Sequence, residues 1–253
     1  MLDRRKLIKS GIAAAAGASG LAVAARLANQ YGLVPPDHGG IYGVGETLTY
    51  ASQRLLTSRY SLAREFSRND ISRIAPVNGE PPQNDEYQSL LKGNFADWRL
   101  VIDGLVARPS SWSLAELKRL PASSQITHQA CEEGWSFIAQ WTGVSLSYVL
   151  NLVGVSNRAR FVVFYPFDFD INFWDSLDMA DALHPQTLLA YGMNGEELPT
   201  QHGAPLRLRV PRQLGYKSVK YLSRISVVDT LKDIGSGLGS ASPDYGYSWY
   251  AGI

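Results

Sequence analysis

Gln125-Ile126-Thr127-His128-Gln129-Ala130-Cys131-Glu132-Glu133-Gly134-Trp135-Ser136 is the stretch around which the chain organises. A β-prone run, Gln125 to Thr127, leads into Cys131, and a Glu/Gly/Trp/Ser turn follows. Such an order presents a side chain at a strand end. Cys131 is the only cysteine among 253 residues, so it cannot form an internal disulfide. Its thiol is buried and inert, reactive, or bound to a metal. The stretch alone leaves all three fates open.

Downstream of the turn, Leu146, Val149, Leu150 and Val153 recur at i, i+3, i+4 and i+7, which predicts an amphipathic helix ended by Gly154. Phe161 to Tyr165 reads as a buried strand, Asp175 to Leu183 as a short helix, and Thr187 to Tyr191 as a strand. Met193-Asn194-Gly195-Glu196 carries the Asn-Gly pair of a tight hairpin. Leu206 to Val210 and Ile225 to Val228 are further strands. Upstream, Trp98 to Val106 is strand-like, and Ser113-Leu114-Ala115-Glu116 is a capping box opening a short helix that Pro121 stops. Many short strands with a few short helices predict an α+β, β-rich fold.

These elements divide the chain into an N-terminal leader (1–26), an irregular arm (27–95), a core domain (96–230) and a tail (231–253). In the arm, Pro35-Pro36, Gly39-Gly40 and Pro81-Pro82 break the chain. Thr47 to Arg54 and Tyr60 to Phe66 are short helices or extended pieces. The tail is Gly/Ser-rich, then aromatic, and too short for another domain.

The formal net charge is +1, unevenly spread. Arg4, Arg5, Lys6, Lys9 and Arg26 against Asp3 make the leader basic, leaving 19 basic and 22 acidic residues beyond it. A mildly acidic body gives no footprint for nucleic acid. The leader reads as a twin-arginine export signal: Arg4-Arg5, a weakly hydrophobic Ala/Gly run, then the small residues Ala22-Val23-Ala24. Such signals export folded proteins, often with a cofactor already inserted, and the expected destination is the periplasm. Disulfides are permitted there, so a lone cysteine argues against a purely structural thiol.

The four histidines, His38, His128, His184 and His202, are scattered and form no zinc spacing, and one cysteine excludes a CxxCH haem site. Asp168, Asp170, Asp175, Asp178 and Asp181 lack EF-hand spacing and are expected on a solvated loop and helix face. His202 and Arg207 could together grip a phosphate, and Gly215 to Lys220 offers amides, a hydroxyl and two lysines as an anion cradle. Cys131 and these two segments together suggest a soft metal ligand beside a phosphorylated organic cofactor.

Cys131-Glu132-Glu133-Gly134-Trp135-Ser136, Trp141-Thr142-Gly143-Val144-Ser145-Leu146, His184-Pro185, His202 to Arg207 and Gly215 to Lys220 resemble, in consistent order, the molybdopterin domain of the sulfite oxidase family. The resemblance runs from about Tyr60 to Asp229. The Cys-x-Glu-x-Trp-Ser pattern is similar to that of periplasmic protein-methionine-sulfoxide reductase catalytic subunits.

The resemblance implies a molybdenum–molybdopterin cofactor with Cys131 as thiolate ligand, a soft donor for a redox-cycling metal. It implies that His202, Arg207, Ser218, Val219 and Lys220 hold the cofactor, that Arg64 and Glu65 lie in an arm covering the pterin, and that Glu133 sits near the metal. The implied reaction is oxygen-atom transfer, reducing sulfoxides such as methionine sulfoxide or oxidising a small sulfur compound. A small or peptidyl sulfur substrate, a haem-containing electron-transfer partner and a monomeric chain are expected with it. Two departures stand out. Pro211-Arg212-Gln213-Leu214-Gly215 replaces the family's Pro-Trp-Lys-Tyr-Gly, and Tyr165-Pro166 replaces an expected threonine. A Cys131/His202 hydrolase and an exported binding module with Trp135, Trp141 and Trp174 along a cleft are the readings from other classes.

Overall fold

The computed structural model describes residues 33–39, 42–56, 61–168 and 173–253. The twin-arginine leader and Asp170 lie outside them. Two compact units are present, Met1–Ser58 and Arg59–Ile253. Within the first, α1 spans Gly43–Leu56, with Glu46 in its first turn and Arg54 in its last, signs that complement the helix dipole. No helix among the described residues is long and apolar enough to cross a membrane.

The second unit packs two five-stranded sheets. In one, the order is β2 (Ser110–Ser113), β1 (Arg99–Gly104), β10 (Leu222–Val228), β5 (Phe161–Pro166) and β6 (Asp175–Asp178). Only β1 and β10 run parallel in it. The other has β3 (Ala122–Ala130), β4 (Ser136–Ser145), β7 (Leu188–Met193) and β8 (Glu196–Glu197), with β9 (Arg207–Arg209) also on β7. Short helices α2 (Asp85–Lys92), α3 (Leu114–Lys118), α4 (Leu146–Val153) and α5 (Met179–Ala182) complete it. The expected α+β, β-rich class is what the chain adopts, and α4, the Ser113 capping box and the Asn194-Gly195 hairpin form where the sequence puts them.

The main core lies between the sheets, with Ile102, Leu150, Phe164 and Ile225 fully buried in it. A smaller cluster, Phe137, Ala139, Trp141, Ala190, Met193, Leu198 and Ala204, lies apart from it. One strand serves both clusters. Along β4 the alternation of side chains sends Phe137, Ala139 and Trp141 to the smaller cluster. A register shift against β7 between Thr142 and Gly143 then turns Val144 into the main core.

Tyr60 to Phe66 is an extended arm where described: Glu65 bridges Thr127, and Phe66 N donates to Ile126 O at 2.9 Å. Gln186 fastens it, accepting from Ala63 N (2.7 Å) and donating to Glu65 Oε1 (3.0 Å).

Two expectations are corrected. Asp175 to Leu183 is not one helix: Asp175–Asp178 pairs with β5, and the helix begins only at Met179. Asp178 marks that switch as the N-cap, its Oδ1 accepting from Asp181 N at 2.9 Å. Nor is the acidic run solvated, because Asp175, Asp178 and Asp181 are buried. Each is held by hydrogen bonds, Asp175 by Lys217 and Ser242 and Asp181 by Gln213, and such bonds are what make burial of a carboxylate tolerable.

Candidate active site

The period of two along β3 places Gln125, Thr127, Gln129 and Cys131 on one face, and all four are buried. That face ends in a cavity of about 220 Å³, with Gln129 and Cys131 in its wall. The loop from Cys131 to Trp135 closes on itself: Cys131 N donates to Trp135 O at 2.9 Å and Gly134 N to Cys131 O at 3.1 Å. It holds the thiol at the cavity wall with 8% of its residue surface exposed.

Near the thiol the polar neighbours are few. Glu132 Oε2 lies 3.3 Å from Sγ, Glu133 Oε2 at 3.9 Å and Asn78 Nδ2 at 3.9 Å. Burial, aided by Glu132, pushes the thiol up to about 11. An activated nucleophile needs the opposite shift and a base on its sulfur. The shift here is upward, and among the described residues the sulfur's partners are Glu132, Glu133 and Asn78, not His202, so the Cys131/His202 hydrolase reading is set aside. Glu132 lines the cavity, whereas Glu133 does not, accepting instead from Trp135 Nε1 at 2.7 Å.

The same cavity has cationic lining, Arg207 and Lys220, with Arg209 buried just behind Arg207. Arg207 on β9 is buried, donating to His202 O (2.9 Å) and Ser218 O (3.0 Å), with its guanidinium 4.9 Å from the Trp141 ring. Burial lowers it to about 10. Arg209, two positions on, shares the face, reaches Ser218 Oγ and His128 O, and is lowered to about 9 by burial and then by Arg207. Lys220 Nζ donates to Asn78 O (2.6 Å) and Gln201 O (3.1 Å), and burial brings it to about 7. His202 is held near 4 by burial, then by Arg207 and Lys220, so its ring is neutral. Among the described residues no carboxylate forms an ion pair with Arg207, Arg209 or Lys220. Uncompensated buried charge of one sign is costly and calls for an anion.

The backbone is shaped for the same occupant. The amides of Val219 and Lys220 donate to no backbone acceptor among the described residues. Gly215 lets its turn approach the strand end bearing Cys131: a Cβ there would meet Ala130 O and Gln129 Nε2 at 3.2 Å. Gly203, at φ 108°, leaves room for the Lys220 stem, where a Cβ would come within 2.8 Å.

The structure thus brings Cys131, His202, Arg207, Ser218, Val219 and Lys220 to one cavity. Arg64 and Glu65 do not line it: Arg64 lies over the Phe66 ring and Glu65 is taken by Gln186. Lys217, read as part of the anion cradle, is buried on Asp175 instead. Tyr165 stacks on Trp174, and neither they nor Trp141 line the cavity, while Trp135 does. Gln129, Asn78 and Arg209 were not singled out. Gln129 and Arg209 stand two positions from Cys131 and Arg207, so strand alternation could have found both. Asn78 arrives from a loop with no such signal.

Residues 88–233 match the oxidoreductase molybdopterin binding domain. The chain belongs to that family. It is 35% identical over 209 residues to a chain of Azospira oryzae provisionally named a protein-methionine-sulfoxide reductase subunit, YedZ1, covering 79% of this chain and 76% of that one. It is 36% identical over 152 residues to the protein-methionine-sulfoxide reductase catalytic subunit MsrP of Xanthomonas campestris pv. campestris, covering 55% of this chain and 47% of that one. The sulfane dehydrogenase SoxCD of Paracoccus pantotrophus superposes with a TM-score of 0.51 at 27% identity, covering 53% of this chain and 39% of that one. The chain thus spans about half of MsrP and three quarters of YedZ1.

The family's cofactor is molybdenum–molybdopterin, and the residues present fit it. One wall offers a thiol, the donor type that suits a soft, redox-active metal. Among the described residues no group of three or more His, Cys, Asp or Glu could hold an ion by itself, so a metal here depends on ligands brought by the cofactor. The same cavity offers cations, bare amides and, two residues before Cys131, the buried, unpartnered Gln129 Oε1. The chain is a molybdopterin-dependent oxidoreductase.

Proposed function

We propose that this chain reduces sulfoxides, small or peptidyl, in the periplasm, as a monomeric catalytic chain exported by the twin-arginine route and supplied with electrons by a haem-containing partner. The names of both sequence relatives, reductase subunits, support a partner and a sulfoxide substrate. The net reaction takes a sulfoxide, two protons and two electrons to a thioether and water. Bound molybdopterin supplies the two-electron redox chemistry at the metal.

The protein's part follows from its walls. Cys131 would ligate the metal. Arg207 and the Val219 and Lys220 amides would hold the anionic end of the cofactor, and His202, neutral, would donate or accept without adding charge. Val77, Trp135, Phe137 and Phe173 give the remaining wall an apolar character that accepts a thioether-like group and excludes water. Glu132, in the cavity lining and 3.3 Å from the thiol, is placed to carry a proton there.

The observation that carries this reading is one cavity lined by a single thiol and by cations without a carboxylate partner among the described residues. Its test is X-ray absorption on enzyme from a host that makes molybdopterin. Three sulfurs around molybdenum are expected in the wild type and two in Cys131→Ser, with sulfoxide-dependent oxidation of a reduced dye lost in the variant. Two sulfurs in both proteins would remove Cys131 from the metal.

A further inference from the structure

The turn that lines the cavity at Gly215, Tyr216 and Ser218 does not stand by itself. Lys217 points away from the cavity into a buried site, where Nζ bonds Asp175 Oδ1 and Trp249 O and lies 4.8 Å from the Trp249 ring. Asp175 uses its other oxygen for Ser242 Oγ at 2.7 Å, so one carboxylate of β6 ties the turn to the C-terminal segment. Trp249 Nε1 closes the group on Ser176 Oγ at 2.9 Å. Tyr216 OH donates to Ser248 O at 2.7 Å and its ring stacks on Tyr247 at 5.2 Å. Just before the turn, Leu214 N donates to Ala251 O (2.9 Å), Ala251 N to Gln213 Oε1 (3.2 Å) and Ile253 N to Arg212 O (3.0 Å). Phe173, on another part of the cavity wall, packs edge-on against Tyr245 and Tyr247.

We propose that Ser240 to Ile253 is a strap that holds the Gly215–Ser218 wall in its cofactor-binding shape, with Asp175 and Lys217 as positioning residues. The strap lies beyond residues 88–233, the stretch that matches the family's domain. A buried ion pair contributes little net stability, because desolvation offsets its attraction, but removing one partner leaves a bare buried charge. Its consequence here is geometric: it fixes Lys217 between Tyr216 and Ser218, and the Ser218 carbonyl in turn accepts from Arg207. Loosening the strap therefore loosens the anion wall without touching a residue that meets the cofactor. This inference rests on molybdopterin occupying the cavity.

The test uses holoenzyme carrying Ser242→Ala together with Tyr247→Ala, neither of which lines the cavity. The expected result is release of pterin on mild warming accelerated roughly tenfold, with faster amide exchange at residues 212–218 and a global unfolding midpoint close to wild type. Asp175→Asn is expected to do the same more strongly, and if it fails to fold the double variant still decides. Unchanged release and exchange in the folded double variant overturn the strap, as does release that only accompanies global unfolding. Wild-type protein without molybdopterin would overturn the cofactor reading instead, and exchange at residues 212–218 would then decide the strap by itself.

Discussion

Arg207 and Arg209 are both buried over the indole of Trp141, at 4.9 and 5.4 Å, and neither meets a carboxylate among the described residues. The ring faces supply part of the missing counter-charge. They do not supply all of it, since both guanidiniums remain lowered by burial. Of the two only Arg207 lines the cavity, so it is the one placed to meet an anion there.

Arg207→Gln should therefore cut pterin per purified chain by roughly tenfold while leaving the cofactor-free fold within about 2 kcal/mol of wild type. The two lost backbone bonds, each worth about 1 kcal/mol, are offset by removal of an unpaired buried charge. Pterin analysis and urea unfolding measure the two sides. Full pterin content in the variant would contradict the anion role.

His202 predicts an acid sensitivity. Its folded value, about 4, lies below the ordinary 6.5, so the unfolded chain binds the proton more readily. Stability is full above about pH 6.5 and is lost as pH falls toward 4. At pH 5 the loss in cofactor-free protein is at most about 2 kcal/mol, less for the solvent that reaches the ring. Urea midpoints at pH 7.5 and pH 5 should converge in His202→Gln, and an unaltered pH dependence would clear His202 of this effect.

The Ser113 box predicts a local effect without a functional one. Ser113 Oγ accepts from Glu116 N at 3.2 Å, and Glu116 returns a carboxylate to Ser113 N at 2.7 Å. Ser113→Ala should cost about 1 kcal/mol in denaturant unfolding. No residue of the box lines the cavity, so turnover should stay at the wild-type value.

That box, α4 and the Asn194-Gly195 hairpin were legible because each is fixed by neighbours within a few positions. That Cys131, His202, Arg207 and the Ser218 to Lys220 segment belong together was legible from residue type and from the resemblance, and the structure gathers them in one cavity. What the sequence hid depends on partners far along the chain. Asp175 pairs with Lys217 across 42 positions, so an acidic run looked solvated and a buried lysine looked like an anion ligand. Asn78 reaches the thiol across 53 positions, and no local pattern announces that. Glu133 and Glu132 differ only in which way a loop residue turns, and the backbone of residues 131–135 decides it.

Lys220 gives the sharpest test of the anion wall. Its bonds go to the neutral carbonyls of Asn78 and Gln201, and burial, then Arg207, lowers it from 10.5 to about 7. The unfolded chain thus binds this proton more tightly than the folded one. The penalty of the charged lysine is complete below about pH 7, and cofactor-free stability rises as pH climbs from there toward 10.5. An anion in the cavity reverses the preference by holding the ammonium charged. Sulfate, which stays doubly ionised over this range, should therefore raise the melting midpoint more at pH 6.5 than at pH 9. Near pH 8 its binding should draw in close to one proton per site, read by calorimetry in buffers of different ionisation enthalpy. Lys220→Met should bind sulfate more weakly and take up no proton. An equal sulfate effect at both pH values in the wild type would mean that Lys220 does not face the anion.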